Sequence, residues 1–258
     1  MSGDQTLVLV PTYNEAGNIR STVERLRAAV PSAQVLVIDD NSPDGTGDIA
    51  DRLAARDAHV EVLHRAGKGG LGLAYLAGFD WGIRRGYDVL VQMDADGSHL
   101  PEQLPGLLGP LGDPRLGADL VLGARWVPGG SVQHWPWTRE LLSRGGNQFA
   151  RLALGIGVRD ATSGFRAWRR AALQAIDLDD VSSQGYCFQI DLTRRALGVG
   201  LHVVEVPIRF VERVEGQSKM THAIVREAIW RVTIWGATAR LRGLSRTLAR
   251  PCLRRRAH

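Results

Sequence analysis

Two pairs of aspartates stand where short apolar runs stop. Asp94 and Asp96 flank Ala95 just after the run at 89–92. Two carboxylates around one tight turn repel each other unless a cation lies between them. Hard oxygen donors suit Mg²⁺ or Mn²⁺, and Mg²⁺ typically takes one or two carboxylates together with diphosphate oxygens. The same residues have a second reading, because Asp96, Gly97 and Ser98 before Pro101 and Glu102 also resemble a capped helix start. Asp39 and Asp40 end another run, at 35–38. An acid in that position of a parallel sheet accepts hydrogen bonds from a ribose or base. Here too a turn is the alternative, with Pro43, Asp44 and Gly45 following directly. Two acidic pairs ending two strands of one sheet would line a single crevice.

Gly67, Gly69 and Gly72 match G-x-G-x-x-G in spacing and lie between a strand and a helix. The pattern follows the third strand instead of the first, and Lys68 is followed by Gly69, which excludes a Walker A loop. A dinucleotide turn and a close-packed loop beneath a helix both remain open. Lysine occurs only at Lys68 and Lys219 among 32 basic side chains, which marks both positions. Cys187 has no basic neighbour in sequence to activate it and reads as a core residue.

The elements that must hold these residues follow from the hydrophobic pattern. Apolar runs at 7–10, 35–38, 60–63, 89–92 and 120–122 alternate with segments of helical period, among them 71–85 and 139–154. Such alternation implies parallel pairing in an α/β doubly wound sheet with helices on both faces, whose ligands bind beyond the carboxyl ends of the strands. A late strand is expected at 203–210. In 258 residues, 44% hydrophobic and 23% charged content suit one sizeable core and exclude disordered, collagen-like and disulfide-scaffold classes. The net charge of +5 favours an anionic partner: nucleic acid, lipid phosphate or nucleotide. Two distant cysteines, Cys187 and Cys252, suggest no disulfide framework or zinc site. No basic-then-apolar leader opens the sequence, and no apolar run reaches the roughly 18 to 20 residues of a spanning helix.

Several longer segments, taken in order along the chain, form a recognisable set. The segments are Val10-Pro11-Thr12-Tyr13-Asn14-Glu15, Ile38-Asp39-Asp40-Asn41-Ser42-Pro43-Asp44-Gly45-Thr46 and Gly67-Lys68-Gly69-Gly70-Leu71-Gly72-Leu73-Ala74-Tyr75. Met93-Asp94-Ala95-Asp96-Gly97-Ser98-His99, Gly123-Ala124-Arg125-Trp126, Ser143-Arg144-Gly145-Gly146-Asn147 and Asp160-Ala161-Thr162-Ser163-Gly164-Phe165-Arg166 continue the series. Phe210-Val211-Glu212-Arg213-Val214-Glu215-Gly216-Gln217-Ser218-Lys219 closes it. Each segment alone is weak; the ordered set is strong, spans 7–220, and resembles glycosyltransferase family 2 enzymes of the GT-A (Rossmann-like) fold, and among them the polyprenol-phosphate (dolichyl-phosphate) mannose synthases.

The resemblance implies that Pro11, Tyr13, Glu15, Ile38 and Asp40 hold the guanosine of GDP-mannose. It implies that Asp94, Ala95, Asp96 and Ser98 meet the diphosphate and a Mg²⁺ or Mn²⁺ ion. Arg125, Arg213 and Lys219 would clamp phosphate charge, with Asp96, Arg125 and Lys219 as the catalytic set. Arg139 and Ser143, one helical turn apart, would grip the phosphate of a polyprenyl phosphate acceptor, although Arg139 could instead pair with a neighbouring acid. A polyprenyl phosphate is already ionised at neutral pH, so no general base is demanded. Attack by its oxygen on the anomeric carbon would be a single inverting displacement. His99 then reads as supporting or structural. Gly97 departs from the bulkier apolar residue common in relatives, a change expected to alter local packing.

Residues 1–220 read as the catalytic domain and 221–258 as a basic amphipathic helix with an arginine-rich tail. Ile224, Val225, Ala228, Ile229, Val232 and Trp235 recur at helical spacing among arginines. Such a helix either lies in a membrane interface or packs its stripe back on the domain. A peripheral protein at the cytoplasmic face of a bacterial plasma membrane is expected, with a separate anchor protein as a possible partner. Transfer from UDP-glucose or another nucleotide sugar is the alternative within the enzyme class. A nucleic-acid-binding protein is the alternative outside it, disfavoured by missing recognition motifs and by basic charge gathered at one end. An NAD-dependent oxidoreductase using Gly67 to Gly72 is a third, not expected to respond to nicotinamide.

Overall fold

A computed structural model of the chain describes residues 5–178, 181, 186–212, 226 and 229–238. Fully apolar runs become buried strands and the periodic segments become the helices between them. The first half runs β1 (Thr6–Thr12), α1 (Ile19–Ala29), β2 (Gln34–Asp39), α2 (Thr46–Ala54), β3 (Val60–His64), α3 (Leu71–Arg84) and β4 (Val89–Gln92). The second half runs α4 (Leu104–Gly112), β5 (Leu120–Ala124), β6 (Ser131–Gln133), α5 (Trp137–Leu154), β7 (Arg166–Arg169), α6 (Arg170–Ala175), α7 (Tyr186–Gly198), β8 (Val203–Pro207) and β9 (Arg209–Val211).

Seven strands form one sheet in the order β3-β2-β1-β4-β7-β5-β8. Pairs β1–β2, β2–β3, β1–β4 and β5–β8 are parallel, while β7 runs antiparallel to both β4 and β5. The α/β, mostly parallel architecture expected from the pattern is therefore present. The reversed β7 between β4 and β5 was not legible in it.

Side-chain alternation splits the apolar runs between two cores. Leu7, Leu9, Leu36 and Ile38 meet Tyr75 and Phe79 of α3 on one face. Val8, Val10, Val35 and Val37 meet Ile19, Val23 and Leu26 of α1 on the other. On the first face α3 lies very close to the sheet: a Cβ at Gly78 would come 2.6 Å from Ile38 Cδ1 and 3.0 Å from Leu9 Cδ2, so any side chain there would force those side chains to shift.

The single strand expected at 203–210 is two. Pro207 has no N–H to continue the ladder, and the chain steps at Ile208 from β8 into β9, which pairs with β6 in a separate two-stranded sheet. In the C-terminal segment, residues 229–238 are helical. Val232 there is buried, and a Cβ at Gly236 would collide with the Ala153 carbonyl oxygen, so this helix crosses the end of α5. Its inner stripe packs on the domain. No helix among the described residues is long and apolar enough to cross a membrane.

Candidate functional site

The carboxyl ends of β1, β2 and β4 open on one crevice of about 670 Å³, solvent at its mouth included. That size suits a ligand of nucleotide dimensions. Pro11, Tyr13 and Glu15 come from the β1 end, Asp40 from β2, and Asp94, Ala95 and Asp96 from β4; Lys68, Gly70, Leu71 and Ala74 close it from the loop and first turn before and within α3. Since β1 lies between β2 and β4, Asp40 sits at one end of the crevice and the Asp94–Asp96 turn at the other.

The loops that shape it are tied to each other. Asn14 N–H donates to Ser42 Oγ (3.1 Å), Glu15 N–H to Thr46 Oγ1 (2.9 Å) and Ala16 N–H to Asp44 Oδ2 (3.1 Å). Asp44 also accepts from the Thr46 hydroxyl at 2.6 Å. Burial alone would raise its pKa, but these donors outweigh it and hold the carboxyl below the ordinary carboxylate range.

The adjacent acids Asp39 and Asp40 do different work. Asp39 accepts from Thr12 Oγ1 (3.1 Å) and from the Ser42 N–H (3.1 Å) and hydroxyl, so it builds the turn. Asp40 turns into the crevice, where it accepts from Arg65 and from the N–H groups of Gly69 (2.9 Å) and Gly70 (3.3 Å). The glycine-rich loop is thus tied down by Asp40. A carboxylate has about four acceptor positions, and three are used. Ile38 does not reach the crevice: it is fully buried under α3, and its expected contact with a nucleoside is corrected to core packing.

The turn after β4 is braced from three sides. The buried Tyr75 donates its hydroxyl to Asp94 Oδ1 (3.1 Å), the Asp94 N–H donates to His99 Nδ1 (3.1 Å), and the Ala95 carbonyl accepts from Thr22 of α1 (3.1 Å). Accepting at Nδ1 puts the His99 ring proton on Nε2. The ring packs against Phe165 and Phe210, centroids 5.2 Å away, which is the supporting role expected. Burial, and then the charge of Asp94, raise the Tyr75 phenol well above its ordinary pKa, so it stays a donor. Asp96 Oδ1 accepts from the Ser98 N–H at 3.1 Å across Gly97, whose φ of +77° is open to glycine and costly to side chains. Gly97 therefore serves backbone conformation; nothing lies within 4 Å of where its Cβ would be. Both the turn and the paired carboxylates are real, and they are compatible.

Asp94 and Asp96 fit a Mg²⁺ or Mn²⁺ ion as a donor set, because both face one crevice large enough to bring diphosphate oxygens beside them. Among the described residues no group of three or more His, Cys, Asp or Glu side chains could hold a metal, so the remaining ligands would come from substrate and water. Ser98 does not complete the set. It is fully buried, its hydroxyl has no partner among the described residues, and it does not line the crevice.

Arg125 is likewise corrected. It is buried and bidentate on Asp160 (Nε to Oδ2 2.8 Å, Nη2 to Oδ1 2.7 Å), and its Nη2 also donates to Thr162 (2.9 Å). Burial raises the Asp160 pKa, but Arg125 outweighs it and the carboxyl stays ionised below its usual range. A guanidinium committed to this pair and outside the crevice is not a clamp on phosphate there. Asn147 of α5 continues the network, donating to Thr162 Oγ1 at 2.9 Å.

Arg139 at the start of α5 pairs with Glu212 and lies 4.1 Å from the Trp135 ring centroid. Ser143 follows one turn later, and its carbonyl accepts from Asn147 (3.0 Å). The neighbouring-acid reading of Arg139 is thus what the structure contains. Arg213 and Lys219 lie outside the described residues. One crevice residue, Lys68, was missed: its ammonium sits 4.1 Å from the Tyr13 ring centroid. The scarcity of lysine was the available signal. Cys187 is a buried free thiol, as expected.

Comparison with known proteins adds to this geometry. Residues 7–177 match the family described as Glycosyl transferase family 2. The chain is 56% identical over 238 residues to polyprenol monophosphomannose synthase of Mycolicibacterium smegmatis, covering 92% of this chain and 89% of that protein. It is 55% identical to undecaprenyl-phosphate mannosyltransferase of Micrococcus luteus, with 93% and 97% covered. Among solved structures, glucosyl-3-phosphoglycerate synthase from Mycobacterium tuberculosis superposes with a TM-score of 0.65 at 21% identity, over 91% of this chain and 81% of that one. The fold is thus the GT-A type that the resemblance implied.

Proposed function

The chain belongs to glycosyltransferase family 2, and from that premise we propose that it transfers mannose from GDP-mannose to a polyprenyl phosphate, inverting the anomeric carbon. One observation carries the reading: a single crevice has a nucleoside-type acceptor, Asp40, at one end and the Asp94–Asp96 turn at the other, in a chain 56% identical to a polyprenol monophosphomannose synthase. The distance between a base and its diphosphate is spanned by the β1 end, where Pro11 and Tyr13 offer flat surfaces.

Asp94 and Asp96 would hold a Mg²⁺ or Mn²⁺ ion, which when bound supplies positive charge to the diphosphate. The chain's own residues do the rest. Tyr75 and His99 orient Asp94, Ser98 orients Asp96 through its N–H, and Lys68 on Tyr13 adds a cation beside four carboxylates. Arg139 and Ser143 would receive the acceptor phosphate, Arg139 exchanging the Glu212 carboxylate for a phosphate of the same charge sign. The acceptor oxygen is already ionised, so positioning replaces proton abstraction. It forms the new bond to the anomeric carbon as the bond to GDP breaks, and the electron pair leaves on the diphosphate. Arg213 and Lys219 are proposed to neutralise that charge.

Incubating the purified protein with polyprenyl phosphate and a set of radiolabelled nucleotide sugars tests this. Label should reach the lipid from GDP-mannose and require Mg²⁺ or Mn²⁺; preferential transfer from UDP-glucose would overturn the donor. Asp96→Asn should reduce transfer by about a thousandfold or more, ~4 kcal/mol, with an unchanged circular dichroism spectrum. Turnover near that of the parent would remove Asp96 from the machinery.

A further inference from the structure

Two arginines approach the Trp135 ring, Arg125 and Arg139, and they hold their carboxylates differently. Arg125 meets the two oxygens of Asp160 with two nitrogens, Nε and Nη2. Arg25 holds Glu102 in the same forked way. Arg139 gives both oxygens of Glu212 a single nitrogen, Nη1. Among the described residues no acceptor pairs with its Nε or Nη2. Two parallel N–H···O bonds make the strong form of such a pair. Arg139 is therefore gripped end-on, with its forked edge left for a second anion.

Both partners are fixed from outside the pair. The Trp135 ring centroid lies 4.1 Å from the Arg139 guanidinium, and stacking of this kind sets the plane of the group. Trp135 in turn meets Phe210 of β9 edge-on, centroids 5.4 Å apart. The Glu212 N–H donates to the Gln133 carbonyl (3.0 Å), so the pairing of β9 with β6 delivers the carboxylate to Arg139. With its backbone pinned, only the torsions of the Glu212 side chain remain to carry the carboxylate away.

We infer that Glu212 is a built-in competitor for the acceptor: its carboxylate covers Arg139 until a phosphate displaces it, and this exchange sets the acceptor's affinity. That role rests on the phosphate-acceptor reading of Arg139 above and adds Glu212 to it. A phosphate monoester brings negative charge and three terminal oxygens, enough to engage the Nε–Nη2 edge. An uncharged head group brings neither and leaves the pair closed. The side chain of Arg139 is 15% exposed and that of Glu212 30%. A cation so nearly buried is costly without a counter-charge, and the exchange provides one both before and after the acceptor arrives. Apparent affinity falls by the fraction of time that Arg139 is uncovered, so a pair closed about ten times as often as open weakens acceptor binding about tenfold.

The test is Glu212→Gln in the full chain, with Glu212→Ala as a second variant that removes reach as well as charge. Either should lower KM for polyprenyl phosphate about tenfold and leave KM for GDP-mannose where it is. Calorimetric titration with a short-chain prenyl phosphate, in the absence of donor, should show the same gain. Tighter binding is a result that a merely structural lesion does not produce. In an Arg139→Gln background Glu212→Gln should change nothing, because no cation is left to compete for. Unchanged or weakened acceptor affinity overturns the inference, and so does loss of folding in both variants, which would make the pair structural. An equal gain without Arg139 also overturns it, since Glu212 would then act as a general repulsive charge. No sugar transfer by the parent to any lipid phosphate, with tighter prenyl phosphate binding in the variants, would refute the proposed function and leave the exchange standing. Transfer by the parent with equal acceptor affinities throughout would do the reverse.

Discussion

At the residue scale, neighbours in sequence have unrelated roles. Asp39 builds a turn and Asp40 faces the crevice because successive side chains at a strand end point to opposite sides. The chemistry of both was legible and the resemblance singled out Asp40; the bonds to Thr12 and Ser42 that commit Asp39 to the turn were not legible. Lys68 is the reverse case, marked only by its rarity and brought over Tyr13 by the path of the 65–70 loop. Among the described residues its ammonium is the single basic group lining a crevice that holds Glu15, Asp40, Asp94 and Asp96. Lys68→Met should weaken GDP binding about tenfold, or ~1.4 kcal/mol, with the thermal midpoint unchanged. Titration calorimetry on both proteins decides it; identical affinities would exclude Lys68 from the donor site.

At the scale of elements, β7 links the site to the core. It is held between β4 and β5 and begins at Arg166, which is fully buried and donates to the carbonyls of Ser163 (2.7 Å), Ala161 (2.7 Å) and Gln189 (2.9 Å) and to Thr193 Oγ1 (3.0 Å). The loop that precedes it carries Asp160, the partner of Arg125, and Thr162, the partner of Asn147 in α5. The motif at 160–166 was read as part of a family pattern, and in the fold it locks the loop before β7 against β5 and α5. Asp160→Asn leaves the Arg125 guanidinium buried beside a neutral amide. Breaking a buried pair in this way costs about 3–5 kcal/mol, so chemical denaturation should show a loss of that size. A change within error would mean that Arg125 finds another counter-charge. None of this could be read from spacing, because Arg125 and Asp160 are 35 positions apart.

For the whole molecule, carboxylates tie elements together and set the response to acid. Asp160 is held low despite its burial, chiefly by Arg125; Asp57 is lowered by Arg27, and Glu102 by Arg25. A carboxyl with a depressed folded-state pKa contributes stability above its ordinary unfolded value and loses it as pH falls through the folded value. Glu205, raised by burial, acts in the opposite sense. Lowered groups predominate, so the thermal midpoint should be level near neutrality and drop below about pH 4, the ordinary carboxylate range. A midpoint that rises on acidification through that range would contradict the assignment.

The order of residue types along the chain was enough to dictate the alternation of strands and helices, the mostly parallel sheet and the acids at the strand ends, because apolar runs must be buried and a parallel sheet delivers their ends to one edge. Segments held in order along 7–220 also identified the family. It took the folded molecule to establish that Ile38 belongs to the core, that Arg125 is committed to Asp160 and that Arg139 rests on Glu212. Each of these depends on what the fold brings against a side chain from distant parts of the chain, and local pattern contains no such information.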